Sequence, residues 1–441
     1  MIVAATFGIW RNEDPRRNFE NRHLVLEQHG AEKIRVLRKN RASSSARANE
    51  VFYGRRPMSL EARVHSYDLH AFAADLDALH EELKQGDGAD DLAHLRKVER
   101  WGRMAVLLGY ATAWIAPNPI SVAALSLGIF VRWTGVAHPV LHRGYDRFAD
   151  AQRTRHSKVF ASGHRRLADW FDWISPAAWT EEHNIQHHYR LNEEADPDLV
   201  ERNLAWLREA KLPRAVKLAI VPVLAAVWKW LYYAPNTLET LDRAQARRRQ
   251  EMTKKEAQAQ LDSRWSGGGW SLLPSAGTSV WLRSWLPYIA FRFILLPVLF
   301  LPLGQWAMWS VLVNSVLAEL LTNLHAFATI VPSHAAEDLY RFEGRAGGRP
   351  EFYLRQIRGS ANYRTGGDFN DLMHGWLNYQ IEHHLFPDLS LLSQQKAAPR
   401  VREICQRHGI EYIQESVWIR LRKTVDVIVG SVSMRRWESS S

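Results

Sequence analysis

Three histidine clusters, each reached after an apolar stretch, constrain this chain more than any other feature. They read His138-Pro-Val-Leu-His142, His183-Asn-Ile-Gln-His187-His188 and Gln380-Ile-Glu-His383-His384. Neutral imidazole nitrogens are good ligands for iron, zinc and copper. On a helix, residues three or four apart share a face, so each cluster can aim its rings at one point. A single histidine pair is unremarkable, but three clusters in one chain point to metal. One zinc takes about four ligands, so these seven histidines suit two metals better.

The apolar stretches come in pairs. Residues 104–116 and 120–131 flank Pro117-Asn118-Pro119, a turn signal, and 285–303 and 305–331 meet near Pro302-Leu303-Gly304. Extending the first pair to 98–116 and 120–138 brings each piece near the roughly 20 residues that a membrane span needs. Residues 218–228 are too short for a comfortable span and read as an amphipathic interfacial helix. Two hairpins return the chain to the side it left, so all three clusters face one compartment. Basic residues crowd 143–166, which favours the cytoplasm. The expected fold is an all-α membrane protein, with four transmembrane helices in two hairpins and a cytosolic helical cap around the metals. The expected domains are a polar, basic region 1–97, a membrane and catalytic domain 98–390, and a cytosolic region 391–441.

Composition agrees. The net charge is +10 and there are 19 tryptophans. A basic excess suits an anionic membrane surface, tryptophan collects at bilayer interfaces, and no nucleic-acid-binding motif is present. A mean hydropathy of −0.31 is compatible with spans outnumbered by a polar cap. Cys405 is the single cysteine, which removes thiolate metal sites and intramolecular disulfides. Residues 2–10 lack the flanks of a cleaved signal peptide. His65, His70, His80 and His94 are scattered and read as surface or packing residues. Soluble di-iron bundles use Glu-x-x-His on two helices, and the one obvious instance here, Glu20 to His23, lies far from the clusters.

The clusters resemble the three histidine boxes of the membrane fatty acid desaturase family, in the form whose third box begins with Gln380. Gln356, Ser360-Ala361-Asn362-Tyr363, Gly375-Trp376-Leu377-Asn378-Tyr379 and Asp196-Pro197-Asp198 are similar to that family's surroundings. Pro139 departs from a first box that often carries Asp at this position. The resemblance implies two irons and an eighth histidine ligand, with His334 the choice and His325 the runner-up. The metal ligands are then His138, His142, His183, His187, His188, His334, His383 and His384. Gln380 is expected to bind weakly, through water or not at all. Asp146, Glu182, Asn192, Asp198 and Glu382 are candidates to orient the imidazoles.

Acid–base side chains cannot cleave an unactivated C–H bond, whereas an iron centre with O2 can. The expected reaction is desaturation of a fatty acyl lipid or acyl thioester. A membrane hydroxylase or monooxygenase is the alternative, and a non-enzymatic zinc-binding membrane protein the lower one. No flavin, iron–sulfur or haem motif occurs, so electrons come from a separate donor of the ferredoxin or cytochrome b5 type. The site is expected to face the cytoplasm.

Overall fold

The computed structural model describes residues 67–86, 88–151, 153–249, 253, 256 and 280–437. The readings of residues 1–66, including Glu20 and His23, and of Gly267–Gly269 lie outside them.

The main helices are α1 (Leu69–Gln85), α2 (Ala89–Ala113), α3 (Pro119–Leu141), α4 (Thr180–His187), α5 (Arg214–Arg248), α6 (Trp281–Leu303), α7 (Gln305–Ser333), α8 (Arg349–Arg358), α9 (Gln380–Leu385), α10 (Leu391–Arg407) and α11 (Val417–Ile428). Strands are few: Tyr340–Phe342 pairs in parallel with Arg435–Trp437, and Asn362–Tyr363 with Gln414–Glu415.

Four described helices are long and apolar enough to cross a membrane: α3, α5, α6 and α7. The number matches expectation, but the set does not. Lys97, Glu99, Arg100 and Arg103 dilute the apolar character of α2, which runs unbroken through the expected boundary at residue 97. The 218–228 stretch is no isolated short helix; it is the apolar half of the continuous 35-residue α5.

Helix α3 starts where chemistry dictates. Asn118 caps it by accepting from Ser121 N at 2.8 Å, and Pro119 supplies a first residue that needs no N–H. Glycines then let α2 lie against it. A Cβ on Gly109 would meet Leu125 Cδ2 at 2.6 Å, and one on Gly128 would meet Val106 Cγ2 at 2.4 Å. Small residues allow such close helix contact inside a membrane. The contacts climb one helix as they descend the other, so the pair is antiparallel. The α2–α3 turn rests on the start of α7: Trp306 Nε1 donates to Ile115 O at 2.9 Å, and Asn314 Nδ2 to Ala113 O at 2.9 Å.

The opposite ends of these helices enter a second layer built from α1, α8, α9 and α10. Its core holds Phe72, Leu76, Leu79, Leu354, Ile381 and Phe386. Helix α1 clasps this layer with polar bonds as well. His80 Nε2 lies 2.8 Å from Asp388 Oδ1 and its ring stacks on Phe386 at 4.7 Å, while His408 Nε2 lies 2.9 Å from Asp75.

Gly144 shows how tightly the first and third clusters are joined. A Cβ there would sit 2.7 Å from Leu389 O and 3.0 Å from Pro139 O, both rigid backbone atoms. Gly144→Ala is therefore expected to destabilise the protein by about 1–3 kcal/mol. A lowered thermal midpoint in detergent measures this; an unchanged midpoint would mean that the contact yields freely.

Candidate metal centre

The helix ends that carry the first and second clusters are locally widened. His138 N donates back to Trp133 O, and His188 N to His183 O at 3.0 Å, each bond spanning five residues instead of four. Such π-helical turns concentrate at functional sites. In an ordinary α-helix, His183 and His188 would point about 140° apart. The wider turn swings His183, His187 and His188 to one side, which the expected spacing of three and four did not foresee.

All eight expected histidines converge. The ligand-capable nitrogens of His138, His142, His183 and His383 lie within 4.8 Å of one another, and those of His187, His334 and His384 do likewise. His188 sits between the two groups, its ring 4.4 Å from that of His142 and stacked 4.2 Å from that of His384. His325 is elsewhere: it stacks on Phe130 at 4.0 Å, with Nε2 2.7 Å from Met373 O.

The donor set suits metal ions. Nε2 of His142, His383 and His384, Nδ1 of His183 and both ring nitrogens of His188 are buried without a hydrogen-bond partner. Leaving buried polar atoms unpaired costs on the order of 1–3 kcal/mol each, and a bound cation removes that cost. Burial, then repulsion from neighbouring rings, holds His142, His183, His188, His383 and His384 well below the usual histidine range. Neutral imidazole is the ligand form. Burial also pulls His187 down, but the Asp196 carboxylate outweighs it and leaves His187 raised.

Second partners fix the rings. His187 Nδ1 lies 3.0 Å from Asp196 Oδ1, and that carboxylate also accepts from Asn192 N at 2.7 Å and Asp198 N at 2.9 Å. His384 Nδ1 is 3.0 Å from Gln356 Oε1, and His334 Nδ1 is 3.4 Å from Gly359 O. Such contacts set tautomer and orientation. The Gln380 amide lies 2.8 Å from His334 Nε2, beside the second group, and the Gln394 amide lies 3.4 Å from His383 Nδ1.

The other candidates separate by position. Asp198 comes within 4.8 Å of His183 and His187. Glu182 is buried and accepts from Tyr233 OH at 3.3 Å. Asn192 holds the same Gly359 carbonyl as His334, at 2.9 Å. Glu382 points away from the rings, accepting from Asn362 Nδ2 at 2.7 Å and Tyr412 OH at 2.9 Å, and burial pushes it up to about 7. Asp146 lies apart, accepting from Ser157 N at 2.7 Å. Asp196 and Gln356 were visible only as motif context, and nothing in the sequence marked Gln394.

An apolar cavity borders the rings. Trp133, Trp179, Leu224, Trp228, Phe327 and Ile330 line it, and His138, His183, His187 and His334 form one side. Few polar groups face a reactive centre from the other walls, as a site for a hydrocarbon requires.

Comparison with known proteins agrees with this chemistry. The chain is 27% identical over 368 residues to an NADPH-dependent stearoyl-CoA 9-desaturase of Mycobacterium tuberculosis, covering 81% of this chain and 78% of that protein. An acyl-lipid (9-3)-desaturase of Physcomitrium patens is 35% identical over 109 residues, covering 25% of this chain and 19% of that protein. No solved structure matches the chain. The model of the fatty acid desaturase family matches residues 112–416. The chain belongs to the fatty acid desaturase family.

Proposed function

We propose that this protein is an oxygen-dependent di-iron desaturase that places a double bond in a fatty acyl chain. The observation that carries the reading is the pair of buried histidine groups opening on one apolar cavity. The redox balance is simple. Two hydrogens leave neighbouring carbons and O2 is reduced to two waters; two electrons arrive one at a time from a separate donor of the ferredoxin or cytochrome b5 type, and two protons come from solvent.

His138, His142, His183 and His383 are assigned to one iron, and His187, His334 and His384 to the other, with His188 reaching between them. Two irons bound there would supply the oxidising power that side chains lack. The chain's own residues position and protect. Asp196, Gln356 and Gly359 orient His187, His384 and His334. Trp133, Trp179 and Phe327 wall the hydrocarbon against the rings and exclude water. The neutral amide of Gln380 is a weaker donor than imidazole and acts on water or substrate placement.

The same reading places two hairpins in the membrane, α2 with α3 and α6 with α7, and the histidines on the cytoplasmic side. Its support is the contact of the first hairpin's turn with the start of α7, far from the rings. The apolar half of α5 is assigned to the interface. Arg214 at one end bonds Asp426 of α11 at 2.8 Å, while Trp228 at the other end lines the metal-facing cavity. A helix whose two ends both reach the cap does not cross.

Four outcomes are expected. Protein expressed in iron-replete medium holds close to two irons per chain by elemental analysis; one tight zinc and no iron would sink the di-iron assignment. With donor and O2, His384→Ala makes no new double bond while Gln380→Ala retains part of the activity, and a mainly hydroxylated product would favour the hydroxylase. Asp196→Asn loses about 10–100-fold in metal affinity or turnover, followed as iron released on dialysis. For topology, reporter fusions at the N-terminus and after residue 240 both report cytoplasm; an external signal from the second would mean that α5 crosses.

A further inference from the structure

A second apolar hollow lies beside the metal-facing cavity. It is an open trough between α3, the first half of α5, α7 and α11, lined by Leu127, Val221, Leu324, Ala328 and Leu421. Its few polar groups are engaged. Ser126 Oγ is 3.1 Å from Thr322 Oγ1, and His325 Nε2 is 2.7 Å from Met373 O. A polar ligand would find little to bond, whereas a hydrocarbon would lose nothing by entering.

Two of the four walls, α3 and α7, are helices that the proposed topology sends across the membrane, and the apolar half of α5 lies against them. The fourth, α11, marks the level of the interface. Trp418, at the rim of the trough, is 72% exposed, Ile419 is exposed beside it, and Arg422 follows. Tryptophan with arginine on a short amphipathic helix fits the headgroup boundary.

One side chain separates trough from cavity. Phe327 lines both. Leu224 faces the cavity, and its neighbour Ala225 faces the trough. One turn before Phe327, Asn323 fastens α7 to α5: its Nδ2 donates to Ala226 O at 2.7 Å, and its carbonyl accepts from Trp228 Nε1 at 3.1 Å. Phe327 itself makes only an edge-on ring contact with Trp228, at 6.5 Å. Hydrogen bonds pin the two helices here, whereas the Phe327 ring is held by packing alone.

We infer that the trough is a lateral binding site for one acyl chain of a bilayer glycerolipid, and that this chain passes Phe327 to reach the histidine-lined cavity. The inference rests on the desaturase reading and adds to it the form in which the substrate arrives. The lipid tail already lies in the same apolar phase as the trough, so only a side chain stands between it and the rings.

The test uses the full-length, iron-loaded protein in phosphatidylcholine vesicles, with a trace of phosphatidylcholine carrying a mid-chain diazirine. After illumination, label is expected on the trough residues of α5 and α7 and also on Leu224 or Ile330 inside the cavity. Val221→Trp plugs the trough and should cut the inner label, and desaturation of vesicle phosphatidylcholine, by about tenfold or more. Val223→Trp is the control. Val223 is 62% exposed and belongs to neither space, so both readouts should stay at the wild-type level. Label confined to outward positions such as Val216 and Val223 would overturn the inference, as would inner label that Val221→Trp leaves untouched. Inner label without any desaturation, with donor and O2 present, would keep the lateral site and remove the desaturase reading.

Discussion

Everything in this protein is arranged around imidazole rings that are buried against one another. Neutral imidazoles with unpaired nitrogens are a poor core: each orphaned atom has lost water and gained nothing. Cations that took up those lone pairs would make the arrangement favourable, and their binding energy would then also be folding energy for the helices around the rings. The second layer of helices, the clasp of α1 and the close fit at Gly144 all hold this costly centre together.

The two widened turns explain how so many rings meet. An α-helix offers one stripe, and residues five apart fall off it. One five-residue bond brings His188 round to join His183 and His187, and the other turns the end of α3 before His142. Backbone irregularity is here the means by which a long apolar helix hands its histidines to a cluster beyond its end.

Much of this was legible in the sequence because histidine at short spacing is rare and chemically pointed. The eight histidines lie together, His334 among them, while His325 stacks on Phe130 elsewhere. The residues that orient the rings were harder to see. Asp196 and Asp198 are equivalent on paper, yet backbone geometry sends Asp196 to His187 Nδ1. Glu382 lies next to a histidine in sequence but faces Asn362 and Tyr412. Hydropathy also misplaced the weight of the helices. The charges of α2 sit mostly in its first half, paired as Arg155 with Glu99 and Lys97 with Asp368, and lower the hydropathy of a helix whose second half the expected 98–116 stretch had picked out.

The clasp of α1 has a consequence for what counts as the working unit. The family match begins at residue 112, but His80 is stacked on Phe386, two positions beyond His384. The loop leaving the third box therefore borrows its rigidity from a helix that the family pattern does not include. Divergence upstream of the shared region can thus reach the histidine cluster without changing any of its eight rings, and a fragment trimmed to the family boundary would keep all eight while losing the ring stacked on Phe386.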